Sequence, residues 1–237
     1  MDHAFFLTRE MYSESLQDDS LDKLRRAFRK IDTEIGLWYA RHLGLTASEH
    51  WSRRFELPWA FCEALPITGK SCLDVGSGFS PLPVLLADNC RRALSLDIKP
   101  SSHLRAVLLH HRGQSVQADL REYTPDELFD RVFCISVLEH VERIDIVAGL
   151  QRMRSWLSPG GRLIVTMDVR LPGCLCGVPI NTLVRLARSF GIAVEVSGNL
   201  LSSSDFDNEG QYVGEDIGVF CMVLEECNGK RASEVQS

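Results

Sequence analysis

Hydrophobic residues follow two different patterns along the chain, and the change between them falls near residue 66. In the first part, apolar side chains recur every three or four positions, which is typical of amphipathic helices. This stripe consists of Leu21, Leu24, Phe28, Ile31, Ile35 and Trp38. A second helix is predicted from Ser48, a suitable N-cap residue, through Trp59. Residues 1–66 are therefore predicted to form an amino-terminal helical cap.

The second part, residues 67–227, alternates short apolar runs with helical patterns. Such alternation is typical of a parallel sheet built from βαβ units. Strands are predicted at Cys72–Val75, Ala93–Asp97, Ser115–Ala118, Arg131–Ile135, Arg162–Met167, Ala193–Val196 and Gly218–Leu224. Helices are predicted near residues 82–89, 102–112, 143–157 and 180–190. The polar residues 228–237 are predicted to form a flexible tail.

The composition is that of a globular α/β protein with an acidic surface. Of the 237 residues, 45% are hydrophobic and 24% are charged, and the net charge is −6. A negative surface repels a phosphate backbone, so nucleic acid is not expected as a partner. No apolar run approaches the roughly 20 residues that span a bilayer, and no signal peptide is recognised. The eight cysteines show no spacing typical of disulfides. Together, these features predict a location in the cytoplasm and no membrane contact. The composition does not indicate an oligomeric state.

A glycine turn follows the first predicted strand of the second part, in the sequence Leu-Asp-Val-Gly-Ser-Gly of residues 73–78. Because Gly76 and Gly78 lack side chains, the backbone can turn sharply there and approach a ligand closely. Asp97 ends the next predicted strand, 21 positions after Gly76. A carboxylate at that place can accept hydrogen bonds from a ribose diol. Together, these features predict a bound nucleoside cofactor.

The same turn argues against a dinucleotide cofactor. Dinucleotide-binding folds use the pattern GxGxxG, and here Pro81 occupies the position of the third glycine. Asp74 lies two positions before Gly76. There its negative charge would face the phosphates of a dinucleotide, whereas it can pair with the cationic amino group of an amino acid moiety. An NAD(P)-dependent reductase remains the alternative enzyme class. A non-catalytic binding protein of this fold is a further alternative, although it would be expected to have lost the glycine turn or Asp97.

From about Cys72 to Val169, the chain resembles the class I S-adenosylmethionine-dependent methyltransferases, in particular the small-molecule, methyltransferase type 11-like branch. Five segments carry the resemblance in the order of the family: Asp74–Gly78, Asp97, Gln117–Leu120, Asp130–Val141 and Leu157–Leu163. Ser80 departs from the pattern, since the family often has glycine or threonine there. The resemblance implies a Rossmann-like, seven-stranded, mostly parallel sheet with the last strand antiparallel, flanked by helices and preceded by the helical cap.

The resemblance also implies the cofactor S-adenosyl-L-methionine, with S-adenosyl-L-homocysteine as its product, and a set of residues that bind it. The glycine turn would lie against the methionine part, the second strand end against the ribose, and the third against the adenine. The implied cofactor-binding residues are Asp74, Gly76, Ser77, Gly78, Asp97, Ile98, Asp119, Leu120, Ser136 and Val137.

The predicted reaction is methyl transfer to oxygen, nitrogen or carbon of a small-molecule acceptor by in-line displacement, in which orientation lowers much of the barrier. Residues 136–139 lack the Asp/Asn-Pro-Pro-aromatic segment that related enzymes use on exocyclic amines of bases. His140 is a hypothetical general base for an alcohol or phenol acceptor. The alternative is a histidine that only orders the site or touches the cofactor. Ser136 stands where metal-dependent catechol enzymes place an acidic ligand, so no metal is predicted.

Overall fold

A computed structural model describes residues 1–36, 52–141, 146–171, 177–196, 200 and 217–226. The strands are β1 His3–Phe6, β2 Ser71–Val75, β3 Arg92–Asp97, β4 Gln114–Gln117, β5 Phe129–Ile135, β6 Leu157–Arg170, β7 Val178–Pro179 and β8 Ile217–Glu225. The helices are α1 Arg9–Gln17, α2 Asp19–Gly36, α3 Arg53–Glu63, α4 Leu82–Asn89, α5 Ser102–His110, α6 Ile146–Ser155 and α7 Ile180–Ser189, with a short 3-10 turn at Leu138–His140. The predicted helix start at Ser48, the predicted tail and the end of the helical stripe at Trp38 lie outside the described residues.

These strands form one mixed sheet, in the order β1-β8-β6-β5-β2-β3-β4, with β7 paired to β6. Strands β2 to β6 pair in parallel, whereas β8 runs antiparallel to β6. The predicted mostly parallel, Rossmann-like architecture with an antiparallel last strand is thus confirmed. Strand β2 lies between β3 and β5, so the strand order reverses there. In open α/β sheets, ligands bind at the carboxyl ends of the strands beside this reversal.

Apolar side chains cover both faces of the sheet, as expected for parallel strands. All five residues of β2 are buried. On one face, the core is formed with α2 to α5 and includes Phe28 and Leu104. On the other face, it is formed with α6 and α7 and includes Leu150 and Leu183. Burial of such a side chain contributes about 1.5–3 kcal/mol, and the two apolar layers hold the strand ends in fixed positions.

One edge of the sheet differs from the prediction. Residues 193–196, predicted as a strand, form none in the structure, and most of their side chains are exposed. The edge next to β8 is instead occupied by β1, although the sequence predicts helices for residues 1–66. Strand β1 is antiparallel to β8, with Phe5 opposite Cys221. The sheet among the described residues therefore has eight strands rather than seven.

The two phenylalanines of β1 explain why it pairs as a strand. Successive side chains of a strand point to opposite faces, and Phe5 and Phe6 accordingly belong to different apolar clusters. Phe5 makes an edge-to-face contact with Trp59 of α3, and Phe6 packs on Phe220 of β8. Since β1 is part of the sheet, the proposed division into a cap of residues 1–66 and a domain of residues 67–227 stays a prediction.

Helix α3 matters most for the site, because it brings charged residues to the sheet. Its side chains from Phe55 to Phe61 are buried, including that of Glu56. The helix contacts β5 and β6. Across the described ranges, no helix has the length and apolar character needed to cross a bilayer.

Candidate functional site

A cavity of about 740 Å³ opens at the carboxyl ends of the parallel strands. This volume is within the usual range for small-molecule sites. Most of the predicted site residues line it, namely Gly76, Asp97, Ile98, Asp119, Leu120, Ser136, Val137 and His140. The structure therefore brings together residues from four separate segments of the chain. Arg121 and Val141 also line the cavity, although neither was predicted as a site residue.

The glycine turn after β2 is held by close backbone contacts. Gly76 and Gly78 have positive φ angles of 72° and 50°, which favour glycine. The Gly76 amide donates a 2.7 Å hydrogen bond to the Leu96 carbonyl. A Cβ atom on Gly76 would lie 2.5 Å from both Cγ atoms of Val137. No side chain fits at position 76 unless Val137 moves.

Asp97, at the end of β3, connects this turn to the cavity. One carboxylate oxygen accepts a 2.8 Å hydrogen bond from the Gly78 amide, and the other accepts a 2.7 Å bond from the Lys99 amide. These bonds fix the orientation of the carboxylate. A carboxylate has about four acceptor positions, so Asp97 can still accept hydrogen bonds from a diol in the cavity.

Asp119 follows β4 and is held by Arg121. The Arg121 Nε atom lies 3.0 Å from each oxygen of the Asp119 carboxylate, and the Arg121 amide donates a 2.8 Å hydrogen bond to it. The side-chain and backbone hydrogen bonds from Arg121 lower the pKa of Asp119. The acid is therefore ionised and fixed at the cavity wall.

Three of the predicted cofactor-binding residues do not line the cavity. Gly78 contacts Asp97 instead, and the Ser77 hydroxyl is buried against the Ser95 hydroxyl at 2.5 Å. Asp74 is buried in β2, and one of its oxygens has no hydrogen-bond partner among the described residues. Burial, and then the charge of Asp97, raise the pKa of Asp74 well above its ordinary value. The pairing of Asp74 with a cofactor amino group stays a prediction.

At the cavity wall, Ser136 joins strands β5 and β6 to helix α3. Its backbone has a φ of 48°, an uncommon conformation that costs about 1–3 kcal/mol. Its amide donates a 3.1 Å hydrogen bond to the Thr166 hydroxyl. Its own hydroxyl donates a 2.8 Å bond to Glu56 and accepts a 2.7 Å bond from Arg53. These bonds hold the strained residue in place.

The carboxylate of Glu56 is fully buried and forms an ion pair with Arg53, three positions earlier in α3. Desolvation alone would raise the pKa of Glu56. The positive charge of Arg53 and the hydrogen bonds from Thr166, Ser136 and Ser52 outweigh it, so the pKa is below its ordinary value. The Arg-x-x-Glu spacing was visible in the sequence, but such helix pairs are usually exposed, and the sequence analysis missed this one.

His140, the candidate base, lies on the cavity at the end of the 3-10 turn. Its Nε2 atom is 4.0 Å from an Asp168 carboxylate oxygen, too far for a hydrogen bond. Partial burial, and then the charge of Arg53, lower the pKa of His140, so its ring is neutral at pH 7. The neighbouring Glu139 accepts a 2.8 Å hydrogen bond from the Asp168 amide. Asp168 was not among the site residues predicted from the sequence.

The central part of the chain is similar to known methyltransferase domains. A family model described as a methyltransferase domain matches residues 73–165. A search of curated proteins found no match. Among solved structures, the chain is similar to 1,6-didemethyltoxoflavin-N1-methyltransferase of Burkholderia thailandensis with bound 1,6-didemethyltoxoflavin and S-adenosylhomocysteine, with a TM-score of 0.56 and 14% identity over 86% of this chain and 90% of that chain.

Two further structures share the fold. The N-methyltransferase NodS of Bradyrhizobium japonicum WM9, in complex with S-adenosylhomocysteine, has a TM-score of 0.51 and 17% identity over 84% of this chain and 97% of that chain. The [4+2]-cyclase SpnF has a TM-score of 0.53 and 17% identity over 73% of this chain and 81% of that chain. Because SpnF is named a cyclase, the fold by itself does not determine the reaction.

The fold and the cavity define a Rossmann-like α/β domain with a cavity at the carboxyl ends of its strands, the place where open α/β sheets bind ligands. Within this domain, residues 73–165 match the methyltransferase-domain model. This agrees with the resemblance seen in the sequence.

Proposed function

We propose that the protein is a cytoplasmic enzyme that transfers a methyl group from S-adenosylmethionine to oxygen, nitrogen or carbon of a small-molecule acceptor. One observation carries the proposal: a single cavity collects the glycine turn, the acids after β3 and β4, and the segment after β5. The family resemblance assigns the cofactor contacts to these same segments. The reaction is an in-line displacement at the sulfonium methyl group.

In the proposed complex, each strand end contacts a different part of the cofactor. Asp97 accepts hydrogen bonds from the ribose, because its carboxylate is already oriented by the Gly78 and Lys99 amides. The exposed apolar side chain of Ile98 lies next in sequence and lines the same cavity. The adenine lies beside Asp119 and Leu120. The methionine part lies against the turn at Gly76, whose bare backbone permits a close approach.

The binding step is tested by calorimetry with S-adenosylhomocysteine and NADH on the full-length protein. We expect saturable binding of S-adenosylhomocysteine and none of NADH. Replacing Asp97→Asn is expected to weaken the binding at least about tenfold, because hydrogen bonds to a charged acceptor are lost. Asp126→Asn is a matched control, since Asp126 is exposed in the loop before β5. Preferential binding of NADH, or an Asp97→Asn variant with unchanged affinity, would contradict the proposal.

The transfer step requires an acceptor, which a panel can identify. Labelled S-adenosylmethionine is incubated with small molecules that carry alcohol, phenol, amine or activated carbon nucleophiles. Label transferred to one of these classes supports the proposal and defines the atom that is methylated. A folded protein that binds the cofactor but transfers no label to any class would favour the non-catalytic alternative.

His140 is the proposed general base for acceptors that lose a proton during attack. It lines the cavity and is neutral at pH 7. With an alcohol or phenol acceptor, His140→Ala is expected to lower turnover at least about 100-fold and leave the affinity for S-adenosylhomocysteine unchanged. His110→Ala, which removes an exposed histidine of α5, should retain full turnover. If His140→Ala also retains it, the histidine only orders the site, and the base hypothesis is removed.

A further inference from the structure

Three side chains that commonly bind metal ions converge beside the cavity. One oxygen of Glu139, one ring nitrogen of His140 and one oxygen of Asp168 all lie within 4.8 Å of one another. Ligand atoms on one ion are at most about 4.2 Å apart, since each bond is about 2.1 Å long. Small rotations of these side chains are therefore enough for all three to contact one ion.

The Glu139 carboxylate supplies a second and independent observation. Its Oε1 atom accepts the hydrogen bond from the Asp168 amide. Its Oε2 atom is buried and has no hydrogen-bond partner among the described residues. A buried carboxylate oxygen without a donor is costly. The position therefore lacks a positive group, and a cation at the cluster would supply one.

The charges around the cluster favour a divalent cation, rather than another side chain of the protein, as the missing partner of these carboxylates. Arg53 interacts electrostatically with both carboxylates, but it forms its ion pair with Glu56. In the described part of the chain, no other arginine or lysine forms an ion pair with Glu139 or Asp168. Once both carboxyl groups are deprotonated, a single divalent ion would balance the charge of the two carboxylates and the neutral imidazole.

We propose that Glu139, His140 and Asp168 bind one divalent cation of the Mn²⁺, Co²⁺ or Zn²⁺ type. A set of one imidazole nitrogen and two carboxylate oxygens suits these ions, whereas Mg²⁺ and Ca²⁺ prefer oxygen ligands alone. Three protein ligands leave positions for water or for an acceptor atom, and His140 places the ion at the cavity wall. The proposal departs from the expectation that no metal is bound. A ring nitrogen of His140 that binds the ion cannot also accept a proton. The roles of metal ligand and general base are therefore alternatives for that nitrogen.

The site is tested by titrating Mn²⁺ into full-length protein that has been treated with EDTA and dialysed, with free Mn²⁺ measured by electron paramagnetic resonance. We expect one ion per chain, with a dissociation constant below about 1 mM. Glu139→Gln and Asp168→Asn are each expected to weaken the binding at least about tenfold. His111→Ala is the matched control, because it removes a histidine that contacts Asp88 at 2.6 Å, outside the cluster.

Three results would overturn the proposal. The first is a folded wild-type protein, shown by a cooperative thermal transition, with no saturable binding up to about 1 mM Mn²⁺. The second is full affinity in Glu139→Gln and Asp168→Asn. The third is Mg²⁺ binding as tight as that of Mn²⁺, which would contradict the nitrogen ligand. Binding of S-adenosylhomocysteine, measured on the same metal-free sample, reports on the proposed function separately.

Discussion

Replacing Arg53→Ala is expected to lower the free energy of unfolding by about 3–5 kcal/mol at neutral pH, because it leaves a buried charge without its partner. Glu56 is fully buried, and Arg53 is the cation paired with it. The remaining hydrogen bonds from Thr166, Ser136 and Ser52 do not replace the positive charge. Urea denaturation followed by circular dichroism measures the loss.

A second arginine provides the matched control. Arg26 forms an ion pair of 2.7 Å with Asp22 in α2, but both side chains are largely exposed, at 66% and 44%. Arg26→Ala is therefore expected to cost less than about 1 kcal/mol. Combining Arg53→Met with Glu56→Leu removes both buried charges and should restore much of the stability. Equal losses of unfolding free energy in Arg53→Ala and Arg26→Ala would show that the buried ion pair contributes no more to stability than the exposed one.

The loss of stability in Arg53→Ala is expected to change with pH. In the wild type, the pKa of Glu56 is below its ordinary value, so its contribution is present at neutral pH and is lost as the pH falls through the folded-state pKa. Without Arg53, desolvation raises that pKa, and the carboxyl group then destabilises the fold increasingly as the pH rises from its unfolded-state pKa to its raised folded-state pKa. The deficit of Arg53→Ala should therefore be smaller at about pH 5 than at about pH 8. A deficit that does not change with pH would contradict the assignment.

Gly76→Ala is expected to weaken the binding of S-adenosylhomocysteine at least about 100-fold and to cost about 1–3 kcal/mol of stability. The new methyl group would lie 2.5 Å from both Cγ atoms of Val137, at a φ of 72°. Relief of this contact displaces either the turn or Val137, and both lie on the cavity. Calorimetry and thermal denaturation measure the two effects.

The control separates backbone strain from the steric contact. Gly69 has a φ of 77°, and a Cβ atom there would meet nothing within 4 Å. Gly69→Ala should therefore lose stability through backbone strain alone and bind S-adenosylhomocysteine with normal affinity. Adding Val137→Ala to Gly76→Ala removes the two Cγ atoms and should recover part of the stability. If Gly76→Ala behaves like Gly69→Ala, the close packing of the turn is not what requires glycine.

The sequence predicted the centre of the sheet well, because its signals there are local. Buried parallel strands are continuous apolar runs, and strands β2, β3 and β5 were each predicted with nearly the observed bounds. The polar residues that follow such strands meet at one edge of the sheet. For this reason, the order of the residues along the chain was enough to place Asp97, Asp119 and His140 in one site.

The elements that the sequence did not predict depend on contacts between distant residues. Strand β1 has only four residues and is stabilised by β8 and by Trp59. The Arg53–Glu56 pair was missed because charged residues on a helix are usually solvated, and its burial results from packing against β5 and β6. Residues 193–196 had the composition of a strand, but β1 holds the position beside β8.

The pairing of β1 with β8 also constrains when the protein can finish folding. Phe6 lies opposite Phe220, far along the chain, so β1 leaves the ribosome well before the strand with which it pairs. Until β8 has been made, Phe5 and Phe6 have no strand to pair with and stay exposed to solvent or chaperones. The sheet can therefore be completed only after β8 has been synthesised, and nascent chains arrested before β8 would leave the apolar side chains of β1 without their partner strand.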